Sequence, residues 1–504
     1  MTRAIRGSQL VRLLGPWQSS GNGRRAVPDY LALADTLRGL VTDGRLALDV
    51  RLPAERELAE ALRISRTTVT GAYNVLRTSG HLDSRRGAGS WTRLPGGVRV
   101  GQNGWWTPET APDLIDFATA ALAAPPEMVA AASDAVAALP RYLSGAGYHP
   151  TGLPELRAAV AEAYTGRGVP TSPEQIMVTN GVQHALDLAL RLLAPPGSTV
   201  LTESPTYPNA LAAFAARRHR VHTYGVADGW DTELLLAAVR QTSARVAYLV
   251  PEFQNPTGHL MCDELRAALP AVAHAAGTDL IVDETFVDLP LDGLAAKGAA
   301  TDVATGAATG VPTGAAMPLP VAAHDRHARV ISIGGMSKPY WGGLRIGWIR
   351  ATEPIVQRLT AVRVGVDMSG PVLDQLVAVE LLARSESIVP ARRVQLREQR
   401  DVLAAALRRE LPALRFRLPA GGVTLRAELD APVSSALARS AETFGVRLAP
   451  GPKFGMDGTL ERFVRLPFTL SGDVLTEAVS RIAAAYADVA RGSRRTWEAP
   501  ALVA

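Results

Sequence analysis

The chain is organised around the stretch Ser332–Trp348, which has the sequence SIGGMSKPYWGGLRIGW. Just before the glycines, the apolar and β-branched run Val330–Ile333 predicts a buried strand that delivers Lys338 to a cleft. Lysine is scarce here, because almost all the basic charge is arginine. A desolvated lysine can lose its proton and attack an aldehyde to give a Schiff base, whereas an arginine cannot. The plainer interpretation is a surface lysine in a glycine loop, and residues elsewhere in the chain count against it.

The composition predicts a cytoplasmic protein of several structural units. A length of 504 residues exceeds one ordinary core, and about 150 residues per unit gives roughly three units. Charges or prolines interrupt every apolar run before the ~20 residues needed to span a bilayer, so no membrane association is expected. No signal-peptide pattern is present. The single cysteine, Cys262, excludes an intramolecular disulfide framework. No metal site is expected.

The positive charge is concentrated at the N-terminus. Residues 1–94 carry 15 arginines and no lysine against 8 acidic residues, whereas the other 410 residues carry 38 basic against 40 acidic residues. A small basic head on a nearly neutral body indicates a polyanionic partner for the head alone.

The head has the pattern of a winged helix-turn-helix, expected over residues 1–95. Apolar residues at three- and four-residue spacings predict a helix from Tyr30 to about Asp43, and a second begins near Pro53. Ser65 is placed to cap a third helix. Two short extended pieces around a basic, glycine-containing turn follow and predict the wing.

This geometry places two groups of head residues against DNA. A recognition helix enters the major groove by its N-terminal end, so Arg66, Thr67 and Thr68 can reach base edges and phosphates. In the wing, Arg85, Arg86 and the Gly87 backbone can approach phosphates or the minor groove. The plainer alternative is a solvated helix face and a basic hairpin.

The stretches LPAERELA (52–59), SRTTV (65–69) and GHL (80–82) resemble the DNA-binding domain of the GntR family of bacterial transcription regulators. The resemblance covers about residues 30–92. It implies DNA contacts at Arg56, Ser65, Arg66, Thr67, Thr68 and Gly87. Thr70 stands where family members often have an arginine, so one phosphate contact is expected to be missing.

Residues 96–112 are expected to form a linker, because this region is rich in glycine, proline and tryptophan and has little periodicity. Beyond it, apolar strands alternate with alanine-rich helices, which predicts an α/β fold with a mostly parallel sheet over residues 113–490. Residues 491–504 form a tail. Strand candidates end before Thr179, Glu203, Asn255, Asp283 and Lys338. Ligands bind beyond the carboxyl ends of such strands, so these polar residues are expected to converge on one edge.

The converging residues suit an aldehyde cofactor with a pyridine ring and a phosphate. Lys338 can hold the aldehyde, and Asp283 can pair with a protonated ring nitrogen, which makes the ring an electron sink. Asn255 can donate to a ring phenolate, and Tyr207 offers a flat face for stacking. Each feature alone is weak, since Asn-Pro-Thr-Gly can be a simple turn and a strand-end aspartate can cap a helix.

The phosphate has its own predicted partners. Gly181, Val182 and Gln183 open a helix over Val182–Leu193, whose N-terminus suits an anion. Arg345 adds a bidentate donor, and Ser337 lies beside the lysine.

The order of these residues resembles fold type I pyridoxal-phosphate enzymes of the aspartate aminotransferase kind, with a smaller C-terminal α+β subdomain from about residue 370 to 490. The resemblance implies pyridoxal 5'-phosphate as cofactor, Lys338 and Asp283 as catalytic residues, and Arg465 as the partner of a substrate carboxylate. A GntR-like head on such a body resembles the MocR group of regulators.

Three departures from the family pattern put full transaminase efficiency in doubt. Phe286 stands where many relatives have a tyrosine, so the hydroxyl near the cofactor oxygen is missing unless Thr285 supplies it. Gly335 replaces a common serine or threonine that bonds the phosphate, and Val182 replaces a small residue. The stretch 293–320, rich in Gly, Ala and Thr, is predicted to be an inserted loop.

The leading hypothesis is a homodimeric transcription regulator that binds double-stranded operator DNA. It carries the cofactor as a Schiff base and responds to that cofactor or to an amino compound. The competing hypothesis is a pyridoxal-phosphate-dependent aminotransferase acting on an amino acid, with a secondary DNA-binding head. The sequence does not separate the two, because Lys338 and Arg465 serve a sensor and a catalyst equally well, and partial transaminase activity remains open.

Overall fold

The computed structural model describes residues 4–17, 28–85, 89–94, 114–292, 317–456 and 458–495, without the side chains of Arg85 and of residues 492–495. Several predicted features lie outside this part of the chain: Arg86 and Gly87 of the wing, residues 96–112 of the linker with Trp105 and Trp106, and residues 293–316 of the predicted insertion.

The head is a helical unit with a two-stranded wing. Its elements are α1 (Gly7–Leu14), α2 (Asp29–Thr42), α3 (Glu55–Leu62), α4 (Arg66–Thr78), β1 (Leu82–Arg85) and β2 (Gly89–Thr92). The Ser65 side chain accepts the Thr68 amide and fixes the start of α4. Val69, Ala72, Tyr73 and Leu76 form the buried stripe of α4, and they pack with α2 in one apolar core.

The body begins after the head and alternates strands with helices up to a long C-terminal half. Its elements are β3 (Ile115–Phe117), α5 (Met128–Ala138), α6 (Pro154–Gly166), β4 (Ile176–Thr179), α7 (Val182–Leu193), β5 (Thr199–Ser204), α8 (Pro208–Ala216), β6 (Arg220–Gly225), α9 (Thr232–Thr242), β7 (Val246–Leu249), α10 (Asp263–Ala276), β8 (Asp279–Asp283), β9 (Val330–Gly335), β10 (Gly347–Arg350), α11 (Glu353–Val364), α12 (Val372–Ala383), α13 (Ser385–Glu410), β11 (Arg415–Phe416), β12 (Thr424–Glu428), α14 (Ser434–Thr443), β13 (Val446–Pro450), β14 (Phe463–Pro467) and α15 (Gly472–Arg495).

The main sheet has seven strands in the order β4-β10-β9-β8-β7-β5-β6. Strand β10 runs antiparallel to both of its neighbours, and the other pairs are parallel. Strands β4, β7 and β9 are buried along their whole length, because helices cover both faces of a parallel sheet of this kind. The carboxyl ends of β5, β7, β8 and β9 therefore meet at one edge.

A second sheet belongs mainly to the C-terminal part, in the order β11-β12-β14-β13-β3. Its first strand in the chain, β3, pairs parallel to β13 although more than 300 residues separate them in the sequence. The smaller sheet thus includes a segment from the start of the body. Among the helices that the structure describes, none is long and apolar enough to cross a membrane.

Candidate cofactor site and DNA-binding surface

Lys338 follows β9 directly and lies at the carboxyl edge of the main sheet. Its Nζ donates a hydrogen bond of 2.7 Å to the carbonyl oxygen of Ala120. The pKa of Lys338 is lowered from 10.5 to about 8, chiefly because the amine is buried; the positive charges of Arg465 and Arg345 act in the same direction, and the charge of Asp283 opposes them. These interactions place the four predicted charges in one site. They also bring the amine close to the neutral form that attacks an aldehyde.

Asp283 is the last residue of β8 and is buried. Its Oδ2 accepts the hydroxyl of Tyr248 at 2.6 Å, and its Oδ1 accepts the amide and the hydroxyl of Thr285. Burial raises its pKa, and these hydrogen bonds together with the charge of Lys338 oppose that rise. A buried carboxylate held in this way is oriented to pair with a cationic ring nitrogen. The Thr285 hydroxyl is directed at Asp283, so the structure gives no support to Thr285 as the replacement for a tyrosine hydroxyl.

The predicted phosphate end is built by the N-terminus of α7. Gly181 caps this helix with φ of 82°, and a Cβ on Gly181 would lie 2.5 Å from Nη2 of Arg345. The exposed guanidinium of Arg345 donates to the Asn180 carbonyl at 3.3 Å. A helix N-terminus beside an arginine is a favourable anion site.

Gly335 and Val182, which both differ from the family pattern, are in steric contact at this end of the site. A Cβ on Gly335 would lie 2.8 Å from Cγ2 of Val182 and 2.9 Å from the carbonyl oxygen of Ile346. The larger Val182 therefore occupies space that a serine or threonine at position 335 would need. Neither position offers a hydroxyl to a phosphate.

The remaining predicted cofactor partners lie in the same region but differ in their contacts. The buried Oδ1 of Asn255 has no hydrogen-bond partner among the described residues. This oxygen can only accept a hydrogen bond, whereas the predicted donation to a ring phenolate would come from Nδ2 of the same amide. Tyr207 is close enough to Asp283, Arg345 and Arg465 for their charges to influence its pKa, which burial raises. The amide of Gln183 points instead toward the start of α8, donating to the carbonyl of Asn209 at 3.2 Å.

Ser337 is partly buried next to Lys338. Arg465 stands on β14, buried, where it donates to the carbonyl of Ala118. Burial lowers the pKa of Arg465 to about 10. Its guanidinium lies 5.2 Å from the centre of the Phe454 ring. A buried arginine close enough to Lys338 for its charge to lower the pKa of that lysine suits the carboxylate of an amino compound.

Most of the head residues that are predicted to contact DNA lie on the surface. Arg56, Ser65, Arg66 and Thr67 are exposed, and Thr68 is half-buried at the start of α4. The hydroxyl of Ser65 lies 2.7 Å from that of Thr67 and 2.8 Å from that of Thr68. The backbone of Arg85 pairs with Gly89 in the wing.

Glu55 is a residue that the sequence analysis did not single out. It accepts the hydroxyl of Thr70 at 2.7 Å and the guanidinium of Arg77 at 3.2 Å, and it lies 3.8 Å from Nε of Arg66. Arg77 also donates to Ser84 in the wing at 3.0 Å. Glu55 thus ties the recognition helix to α3 and, through Arg77, to the wing. Thr70, which stands where family members often have an arginine, takes part in these contacts through its hydrogen bond to Glu55.

Tyr248 was missed as well, although it lies in a predicted strand. Its only sequence signal is a tyrosine within an otherwise aliphatic buried run, which does not show that its hydroxyl meets Asp283.

Two family models match the chain. Residues 115–482 match the model for aminotransferase class I and II, and residues 29–91 match the model for bacterial regulatory proteins of the gntR family.

Several curated proteins are similar to the chain across one or both parts. The uncharacterized HTH-type transcriptional regulator YisV of Bacillus subtilis is 26% identical over 81% of this chain and 85% of its own length. The probable rhizopine catabolism regulatory protein MocR of Rhizobium meliloti is 29% identical over 64% of this chain and 65% of its own. The 2-aminoadipate transaminase of Thermus thermophilus is 32% identical over 66% of this chain and 80% of its own.

Among solved structures, α-aminoadipate aminotransferase LysN from Thermus thermophilus, complexed with N-(5'-phosphopyridoxyl)-L-leucine, matches with a TM-score of 0.64 and 28% identity. The match covers 75% of this chain and 94% of that one. Aminotransferases of this class and fold depend on pyridoxal 5'-phosphate, which is therefore the cofactor of this body. The chain belongs to the aminotransferase class I and II family and carries a gntR-family DNA-binding domain at its N-terminus, the combination found in MocR-type transcription regulators.

Proposed function

We propose that this chain is a homodimeric regulator that binds operator DNA through its head and changes its DNA affinity when its body binds pyridoxal 5'-phosphate or an amino compound. The observation that carries the proposal is the association, in one chain, of a winged helix with a complete set of charged groups around Lys338. An enzyme has no need of the head, and a regulator without a ligand has no need of the lysine.

Each residue of the site would bind a different part of the cofactor. Lys338 supplies the amine that bonds the aldehyde carbon, and its lowered pKa favours that reaction. Asp283 would pair with the ring nitrogen, Asn255 would donate to the ring oxygen, and Tyr207 would offer a flat face to the ring. When bound, the cofactor withdraws electrons from an attached amino compound. These contacts favour an amino compound as the ligand, whether or not a transamination reaction follows.

The phosphate and the ligand carboxylate have separate partners. Arg345, Ser337 and the amides at Gly181, Val182 and Gln183 lie at the phosphate end, and Arg465 receives the carboxylate. The absence of a hydroxyl at Gly335 and Val182 removes two possible phosphate donors. We expect this to weaken retention of the cofactor, as would suit a protein that senses its concentration.

A dimer through the body is supported by exposed apolar side chains on one segment. Val364, Val366, Met368 and Leu373 have between 38% and 51% of their surface exposed within residues 364–373. Contiguous exposed apolar patches mark interaction sites, and we take this segment as the candidate for the dimer interface. A two-fold protein would favour two related DNA half-sites.

Cofactor attachment is tested by absorption and reduction. Wild-type protein mixed with pyridoxal 5'-phosphate is expected to turn yellow, and borohydride is expected to fix the label on the peptide containing Lys338. Lys338→Arg keeps the positive charge but lacks an amine that can be deprotonated, and should remain unlabelled. A reduced label in Lys338→Arg, or on another lysine of the wild type, would refute the assignment.

The second candidate is an aminotransferase, which the likeness to the 2-aminoadipate transaminase favours. Retention of Lys338, Asp283, Asn255 and Arg465 provides the groups that the reaction needs. A half-reaction with L-2-aminoadipate distinguishes the two. Conversion of the bound cofactor to its amine form within seconds, with operator affinity independent of every amino compound tried, would favour the enzyme.

A further inference from the structure

The head contacts the body through an ion pair between Arg12 and Glu233 and through the end of helix α2. The second contact, the docking loop, consists of Thr42, the last residue of α2, and of Asp43, Gly44 and Arg45, which follow it. The carbonyl oxygen of Thr42 accepts the backbone amide of Leu460 at 2.8 Å. Leu460 has φ of 74°, a conformation that costs energy for a leucine and that its surroundings must maintain. The head is thus one of the groups that hold this body turn in place.

The backbones of the head and the body approach each other closely at Gly225. A Cβ on Gly225, at the end of β6, would lie 2.5 Å from the carbonyl oxygen of Arg45 and 2.8 Å from its Cα. Only glycine leaves room for the docking loop here. The side chain of Arg45 adds an ion pair of 2.6 Å with Asp228. Gly225 does not have a positive φ, so an alanine there conflicts with docking alone and not with the conformation of the strand.

Gly44 reaches the carboxyl end of β5. Its φ is 67°, and a Cβ on it would lie 3.1 Å from Oγ of Ser204 and 3.1 Å from Cδ2 of Leu460. The docking loop therefore touches three body segments at once: the ends of β5 and β6, and the turn before β14.

Two of these three segments continue into the cofactor site. Ser204 leads through Pro205 and Thr206 to Tyr207, and the turn at Leu460 leads into β14 and Arg465. The segments are also joined to each other, because the amide of Thr206 donates to the carbonyl of Phe454 at 2.8 Å. Phe454 is the ring beneath Arg465. A ligand that contacts Tyr207 and Arg465 acts on the same backbone that holds the head.

On the head side, the docking loop is directly continuous with helix α2, which packs against the recognition helix α4. Helix α2 ends at Thr42, and its buried face, Leu33, Leu37 and Val41, belongs to the same core as the buried stripe of α4. Because packed interiors transmit displacement, a change at Thr42 reaches α4 without involving the linker.

One buried carboxylate in the docking loop opposes docking. Burial raises the pKa of Asp43 to about 6, and its nearest cation, Arg462, is 3.9 Å away. A buried carboxylate without a close partner costs free energy. A cleft also remains between the head residues Ile5, Leu13 and Leu46 and the body residues Tyr224 and Leu234.

We propose that the docking loop is the contact through which the occupant of the body's site changes the affinity of the head for DNA. The proposal rests on the function proposed above. Thr42, Gly44 and Arg45 act as positioning residues, since they contact neither ligand nor DNA bases but hold Ser204 and Leu460, which lead to Tyr207 and Arg465. A ligand shifts the equilibrium only because it binds the docked and undocked arrangements with different affinity.

The test uses Gly225→Ala in the full-length protein, with Gly39→Ala as its matched control. Gly39 lies in α2 with no neighbour within 4 Å of an added Cβ, so this alanine leaves docking intact. Operator affinity is measured with and without pyridoxal 5'-phosphate, on a duplex that the wild-type protein selects from a random-sequence pool. Coupling of this kind amounts to about 5- to 150-fold in the wild type. We expect the same factor in Gly39→Ala and about 1-fold in Gly225→Ala.

Hydrogen exchange shows whether the contact itself has opened. The amide of Leu460, which donates to Thr42, is expected to exchange at least about tenfold faster in Gly225→Ala than in Gly39→Ala. A charge exchange provides a second route if Gly225→Ala fails to fold. Arg45→Asp and Asp228→Arg should each reduce the coupling, and the double variant should restore it, which a merely structural loss would not do.

The outcomes separate this inference from the proposed function. Suppose that the wild type and Gly225→Ala respond equally to the cofactor although the Leu460 amide exchanges faster in the variant. This result would overturn the role of the docking loop and leave the proposed regulator function intact. A wild-type protein with the same operator affinity in every condition would overturn the regulator and this inference together. Loss of the response in Gly225→Ala, with cofactor labelling of Lys338 retained, is the predicted result.

Discussion

The reactivity of Lys338 toward the cofactor aldehyde should have a pH dependence set by its neighbours. Its pKa is lowered from 10.5 to about 8. At pH 7 the neutral fraction is then about one tenth, against about 0.03% for an ordinary lysine, a gain of about 300-fold. Only the neutral amine attacks an aldehyde. The rate of cofactor capture should therefore rise about tenfold per pH unit below pH 8 and become constant above it.

Two substitutions should move this midpoint in opposite directions. Arg465→Gln removes a positive charge that lowers the pKa of Lys338, so the midpoint moves to higher pH. Asp283→Asn removes a negative charge that raises this pKa, so the midpoint moves to lower pH. The signs hold even if both variants bind the cofactor more weakly, because the readout is the midpoint and not the affinity.

The assay is stopped-flow absorption of cofactor-free protein mixed with pyridoxal 5'-phosphate from pH 6 to 10. Nα-acetyl-lysine under the same conditions corrects for the ionisation of the cofactor. Midpoints that move in the same direction in both variants, or a wild-type midpoint near that of free lysine, would contradict the arrangement of charges around Lys338.

Other outcomes concern DNA binding and assembly. Arg66→Ala should weaken operator binding by about 1–3 kcal/mol and reduce sequence discrimination, as measured by competition between the selected duplex and a scrambled one. Glu55→Gln leaves a hydrogen-bond acceptor for the recognition helix but removes a negative charge near Arg66, so the slope of log affinity against log salt concentration should steepen by about one. The control Glu60→Gln, on the exposed face of α3, should change this slope less. An unchanged slope in Glu55→Gln would argue against a position of Glu55 beside the DNA. Replacing Val366 and Met368 together by glutamate should give a monomer in sedimentation at micromolar concentration, and a persistent dimer would place the interface elsewhere.

Local signals made parts of the fold predictable from the sequence. The glycine before Val182 and the serine before Arg66 are capping residues, so the starts of α7 and α4 are where the sequence predicts them. The buried strands leading to Asp283 and Lys338 are continuous apolar runs, a pattern that identifies inner strands of parallel sheets.

Other elements lacked such signals. Strand β6 is a partly exposed edge strand with a histidine and a threonine, and β10 begins within the glycine motif that follows Lys338, so neither shows an apolar run. The pairing of β3 with β13 joins distant parts of the chain, which no local pattern reports.

The contacts that matter most for coupling were equally unpredictable. Docking of the head depends on backbone atoms of Thr42, Arg45 and Leu460 and on the absence of a side chain at Gly225, and none of these is a side-chain motif. The linker with Trp105 and Trp106 lies outside the described residues.

The most direct test of the account is a titration of selected operator DNA with wild-type protein and with Lys338→Ala. Each titration is made without ligand, with pyridoxal 5'-phosphate, and with the cofactor plus members of a panel of L-amino acids. The account predicts a change of about 5- to 150-fold in wild-type operator affinity with at least one of these additions, and a reciprocal change in ligand affinity when DNA is present. Lys338→Ala should lose that change and keep its basal DNA affinity. Equal operator affinity in every condition, with cofactor attachment to Lys338 confirmed separately, would contradict the account and leave an aminotransferase-like body joined to a DNA-binding head that it does not control.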